Sequence, residues 1–107
     1  MKILLDENLP VKLKNSFSSS IDVYTVYDMK WNSLQNGELL KSINENGFDA
    51  VIKSDKNIIY QHKLSKYKFR FIIVSASDNQ YKTLFPLIPL IEKKLLLSGE
   101  QVVRIRL

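Results

Sequence analysis

The apolar run Ile3-Leu4-Leu5 stops abruptly at Asp6-Glu7-Asn8, after which Leu9, Leu13 and Phe17 recur every fourth residue. That change of period predicts a buried strand feeding a helix, with the acids at the turn. The helix is expected to begin at Asn8 or Leu9, with Asn8 as N-cap and Pro10 in the first turn, and to fade across residues 15–20. Residues 21–27 (IDVYTVY) are rich in β-branched and aromatic side chains and read as a second strand ended by Asp28. After a linker carrying the single tryptophan, Trp31, the stretch Asn36 to Gly47 predicts a helix of about three turns. Asn36 is its expected cap, Glu38 suits the first-turn dipole, Leu39, Leu40 and Ile43 face inward, and Gly47 suits a left-handed stop.

Phe48 to Lys53 reads as the third strand, closed by Ser54-Asp55-Lys56-Asn57, with a third helix expected from Ile58 to about Leu64 and a basic loop through Lys68. Phe69 to Val74 is the most continuous apolar segment and predicts a strand buried on both faces. Leu84, Ile88, Ile91 and Leu95 then repeat at the helical period, with Pro86 and Pro89 predicting a kink or restart and Gly99 the end. Val103, Ile105 and Leu107 alternate with Arg104 and Arg106, the pattern of a strand with one solvated face. The order βαβαβαβαβ implies a three-layer α/β/α sandwich around a mainly parallel sheet of about five strands.

Length and composition narrow this picture only modestly. With 107 residues, 45% of them hydrophobic, the chain is expected to form a single domain spanning residues 1–107. The absence of cysteine excludes disulfides and thiolate metal sites and leaves oxygen-liganded hard ions. No run has the length of a membrane span and the N-terminus lacks a signal-peptide pattern, so no membrane partner and a cytoplasmic location are expected. The net charge of +5 is densest between Lys53 and Arg70, with Tyr60 and Tyr67 interleaved, and tilts the reading toward a polyanionic partner.

Candidate chemistry follows from topology. In a parallel sheet every strand end that leads into a helix lies on one edge, where open α/β sheets bind ligands. Asp6, Glu7 and Asn8 are expected there, together with Asn36 and Glu38, Asp55 and Asn57, and Asp78 and Asn79. Carboxylates gathered on one edge repel unless a cation, a shared proton or a basic partner compensates them. A hard divalent ion, Mg2+ or Mn2+, is the natural compensation and would serve phosphodiester hydrolysis; Asp6, Glu38 and Asp55 are assigned to it. Lys56, Lys63, Lys66, Lys68 and Arg70 are candidates to steer a phosphate backbone.

The elements LLDENLP (4–10), W-x-x-L-x-N-G-E-L-L (31–40), FDAVIKSDKNIIYQ (48–61) and FIIVSAS (71–77) together resemble a family of small bacterial and archaeal PIN-like proteins, similar to the VapC-type ribonuclease toxins. The resemblance spans nearly the whole chain. It implies a PIN-like fold, a Mg2+- or Mn2+-dependent nuclease site, RNA as substrate and membership of a toxin–antitoxin pair with an antitoxin protein as partner. Asp6 matches the acid after the first strand, Glu38 the acid opening the second helix and Asp55 the acid after the third strand. Asp78 is a poor match to the fourth acid of larger PIN nucleases, and Lys53-Ser54 departs from a threonine-containing version.

Plainer roles stand beside these. Asp6 or Asn8, Asn36 and Asp55 make good helix caps, and Glu38 complements a helix dipole. Glu7 is expected to point away from Asp6 as a solvated or hydrogen-bonded residue, Trp31 to anchor its loop, His62 to be solvated, and the C-terminal leucines to be core or a homodimer surface. Two other functions remain open. One is a non-catalytic PIN-like module that binds protein or RNA. The other is a receiver-like phosphoacceptor, imitated by Asp6-Glu7, Asp55 and Ser75 but lacking a lysine at the end of strand five, where Val102-Val103-Arg104 stands.

Overall fold

The computed structural model describes residues 1–54, 66–97 and 99–106. Five strands, β1 (Lys2–Leu5), β2 (Asp22–Thr25), β3 (Ala50–Ser54), β4 (Arg70–Ser75) and β5 (Val102–Arg106), form one sheet in the order β2-β1-β3-β4-β5, every pair parallel. The helices are α1 (Asn36–Glu45), α2 (Tyr81–Leu84) and α3 (Ile88–Leu97). This is a three-layer α/β arrangement, because alternate residues of the strands feed two separate cores. Ile3, Leu5, Ile52, Ile72 and Val74 face Leu13, Leu84, Ile88, Ile91 and Leu95 on one side. Leu4, Val51, Phe71 and Ile73 face Leu39, Leu40 and Ile43 of α1 on the other. The strand order reverses between β1 and β3, so the crevice at their carboxyl ends is the topological switch point of the sheet.

Several boundaries differ from the sequence expectation. No α-helix follows β1; the chain instead makes a 3-10 turn over Val11–Ser16 with Pro10, not Asn8, at the N-cap position. Lys12, Lys14, Asn15 and Ser16 make most of this stretch polar and only Leu13 of the turn is buried, so little apolar surface rewards a longer helix. Strand β2 ends two residues early because Thr25 and Asp28 close a turn on each other: Thr25 N–H donates to Asp28 Oδ2 at 2.9 Å and Asp28 N–H to Thr25 Oγ1 at 3.0 Å. Gln35, not Asn36, is the N-cap of α1, since Asn36 has already turned helical. Gly47 adopts φ +72° just beyond α1, the left-handed stop that its position suggested.

Strand β4 is buried along its four central residues, although the central strand is β3, buried throughout. Pro86 and Pro89 restart the C-terminal helix as α2, a 3-10 turn over Phe85–Leu87, and α3. Of its leucines, Leu84, Leu87 and Leu95 are core, whereas Leu90, Leu96 and Leu97 are exposed. Trp31 packs against the α1-side core and meets Phe48 edge-on at 5.9 Å, anchoring the linker before α1. Among the described residues no helix is long and apolar enough to cross a membrane. The expected third helix lies outside the described residues.

Candidate functional site

Strands β1 and β3 are adjacent, with Leu5 in register with Ile52 and the Asp6 N–H donating to the Ile52 carbonyl at 3.0 Å. Asp6 therefore continues the ladder for one residue beyond β1. Its side chain follows the alternation of Leu4 to the α1 face, and Lys53 follows Val51 to the same face. The two meet there. Lys53 Nζ stands 3.4 Å from Asp6 Oδ2, with the side chains only 4% and 5% exposed.

Such a pair is held by both strands at the switch point and is nearly dry. Removing two charges from water costs several kcal/mol each in practice, an expense their mutual attraction and hydrogen bonds must offset. Among the described residues no buried side-chain polar atom lacks a hydrogen-bond partner. Ser54, the last residue of β3, is also buried, and Thr25 is buried at the end of β2. Carboxyl ends of three neighbouring strands thus place an acid, an ammonium and two hydroxyls along one rim.

Next to this rim the chain is tied down by a second ion pair. Lys14 Nζ lies 2.8 Å from Asp28 Oδ2, the same oxygen that accepts from the Thr25 N–H. The hydrogen bond from Lys14, followed by that from the Thr25 backbone, holds the Asp28 carboxyl below its ordinary value of 3.8.

The acids assigned from sequence are distributed unevenly. Asp6 is buried at the rim, and Glu38 stands in the first turn of α1, on the sheet face to which Asp6 points, but is exposed. Asp55, Lys56, Asn57, His62 and Lys63 lie outside the described residues, as does the side chain of Asn36. Glu7 and Asn8 are exposed, Glu7 as expected of a solvated residue. Asp78, after β4, accepts from the Gln80 N–H at 2.9 Å and shapes the entry to α2. Among the described residues no three His, Cys, Asp or Glu side chains come together in a group able to hold a metal ion.

Carboxylate donors suit a hard ion such as Mg2+ or Mn2+, but among the described residues the charged group beside Asp6 is Lys53 rather than a second acid, and Glu38 is exposed on α1, so the described donors do not assemble a site for the ion that the sequence pointed to. Lys53 is the discordant group. Of the three compensations open to an acidic edge, the one visible at Asp6 is a basic partner.

Lys53 was legible only as a lysine inside an otherwise apolar strand, the signal that a buried charge has a partner. Of the basic residues named as phosphate contacts, Lys66, Lys68 and Arg70 are among those described. Arg70 opens β4 at the amino rim, opposite the acids, where its guanidinium donates to the carbonyls of Lys94, Leu95 and Glu100 at 3.0, 2.8 and 2.9 Å. It ties down the end of α3. Lys66 lies shortly ahead of β4, on that side too, with Nζ 5.2 Å from the Tyr67 ring centroid, and Lys68 lends its backbone N–H to Asn44. Among the described residues, exposed cations that follow the carboxyl ends of the strands include Arg106, ending β5, and Lys12, whose Nζ is 4.9 Å from the ring centroid of Tyr81 at the start of α2.

Comparisons with family models, with curated proteins and with solved structures return no match.

Proposed function

We propose that this chain is a PIN-like, metal-dependent endoribonuclease, acting as the toxin of a toxin–antitoxin pair. The observation that carries the reading is the buried Asp6 carboxylate at the switch point of an all-parallel sheet, facing the layer whose first turn bears Glu38. Asp6, Glu38 and Asp55 would hold Mg2+ or Mn2+, which supplies neutralisation of phosphodiester charge and a water of lowered pKa. The chain's own contribution is positional. Asp6 is fixed by the β3 ladder and by the turn in which the Leu9 N–H donates to its carbonyl at 3.0 Å. Glu38, at the solvent side, is where an incoming strand would be met. Lys12 and Arg106 supply positive charge along the same rim for the phosphate backbone.

A second reading is favoured by a specific contact. With Lys53 already beside Asp6, the acidic edge has a counter-charge of its own, as suits a module that binds RNA without cutting it. Incubating the protein with single-stranded and hairpin RNA in Mn2+ separates the two. Internal cleavage that chelator abolishes, and that Asp6→Asn and Asp55→Asn each reduce by roughly a hundredfold or more with the fold intact, supports the nuclease. Retention of RNA uncut by the wild-type protein at saturating Mn2+ supports the binding module.

A further inference from the structure

We propose that the outer face of α3 is a docking surface for an acidic amphipathic helix of another protein. Leu90, Lys93, Lys94 and Leu97 line one shallow concavity there. Their spacing of i, i+3, i+4 and i+7 puts all four on one side of the helix, away from Ile88, Ile91 and Leu95, which enter the core. Both leucines are open to solvent, Leu97 at 75% and Leu90 at 37%, and both lysines are exposed. The helix dipole accounts for Lys94, which stands in the last turn. It does not account for leucines left in water one heptad apart, the period at which a helix presents a seam to another helix. This face belongs to the layer opposite α1, and the inference needs neither a metal ion nor RNA cleavage.

The charges choose the occupant. A second copy of this chain pairs badly here, because lysine meets lysine in either direction. Side by side in parallel, each lysine faces its own counterpart; in an antiparallel pair that seats Leu90 against Leu97, the two-fold axis falls between Lys93 and Lys94 and sets each against the other. Like charges brought together at the centre of a contact are costly. No carboxylate of the chain softens this, since the ion pairs among the described residues are Lys14–Asp28 and Lys53–Asp6. A nucleic acid would suit the lysines but leave the leucines in water. A helix with apolar side chains one heptad apart and carboxylates at the third and fourth positions between them answers both, with apolar contact at the ends and charge-assisted contact in the middle.

Titration of the whole chain with two synthetic helical peptides, followed by fluorescence anisotropy, tests this. The acidic peptide carries leucines one heptad apart with glutamates at the third and fourth positions between them; the basic peptide has lysines in place of those glutamates. The acidic peptide is expected to bind at least roughly tenfold tighter than the basic one, and Leu97→Ser to weaken it by roughly threefold or more. Lys93→Glu/Lys94→Glu should invert the preference, so that the basic peptide binds the tighter. All three side chains are exposed, so these variants should keep the circular dichroism of the wild-type chain. Equal affinity of the wild-type chain for the two peptides, or no binding of either, would overturn the proposal. So would binding of oligouridylate RNA that is lost in Lys93→Glu/Lys94→Glu and unchanged in Leu97→Ser, since the face would then serve nucleic acid. A wild-type dimer in sedimentation that Leu97→Ser disperses would overturn it too, in favour of a second copy.

Discussion

Lys53 and Asp6 are cross-strand neighbours, an ammonium 3.4 Å from a carboxylate with at most 5% of either side chain exposed. Their pairing is a consequence of register: β1 and β3 run parallel with Leu5 opposite Ile52, and the next residue of each strand points to the α1 face. A charge in that place is tolerable only because the other is there. Removing one partner from such a pair leaves an uncompensated buried charge.

Lys53→Met and Asp6→Asn are each expected to lower unfolding free energy by about 3–5 kcal/mol in metal-free buffer, measured by urea denaturation. The double variant should cost less than the sum of the two by about 1 kcal/mol or more, because it removes both charges together. Strict additivity would show that the two groups do not interact in solution.

Asp28 provides a pH signature at the neighbouring turn. Its folded-state value lies below 3.8, owing first to the Lys14 hydrogen bond, so its contribution to stability is full above that value and is lost as pH falls through the lower folded value. A side-chain carbon NMR titration should therefore place the Asp28 midpoint below 3.8, and Lys14→Met should move it upward. In Asp28→Asn the pH-dependent part of this contribution disappears, and the acid limb of the stability curve flattens accordingly.

The cations divide by rim, and RNA binding should divide the same way. Lys12→Ala and Arg106→Ala are expected to weaken binding and each to reduce the salt-dependence slope by about one unit. Arg70→Met should leave binding unchanged and instead destabilise the fold by about 1.5–3 kcal/mol, since it strips charged donors from the carbonyls of Lys94, Leu95 and Glu100. Filter binding across a salt series, paired with thermal unfolding, checks both.

The fold was largely legible because its strands are dense in apolar residues and its connections are long enough for crossovers. Gly47, Pro86 and Pro89 gave reliable punctuation, as each residue acts on the backbone locally. What was not legible depended on distant partners. The first turn looked like an α-helix from Leu9, Leu13 and Phe17, but nothing in that spacing shows how little surface there is to bury. Topology led Asp6, Glu38 and Asp55 to be expected on one rim, but topology says nothing of burial: Asp6 is closed in, Glu38 is exposed, and Asp55 lies outside the described residues. Arg70 was read by charge alone, and its true neighbours lie across the chain at the end of α3. Lys53 was visible as an oddity inside an apolar strand, but only the β1–β3 register reveals that it answers Asp6.

On the proposed function, the rim around Asp6 takes a divalent ion. The most direct test of this is an anomalous-scattering map of crystals soaked in Mn2+, for the wild-type chain and for Asp6→Asn. A peak within about 2.2 Å of an Asp6 carboxylate oxygen, absent in Asp6→Asn, is the expected result. A featureless map at this rim under saturating Mn2+, with Lys53 still seated against Asp6, would contradict it.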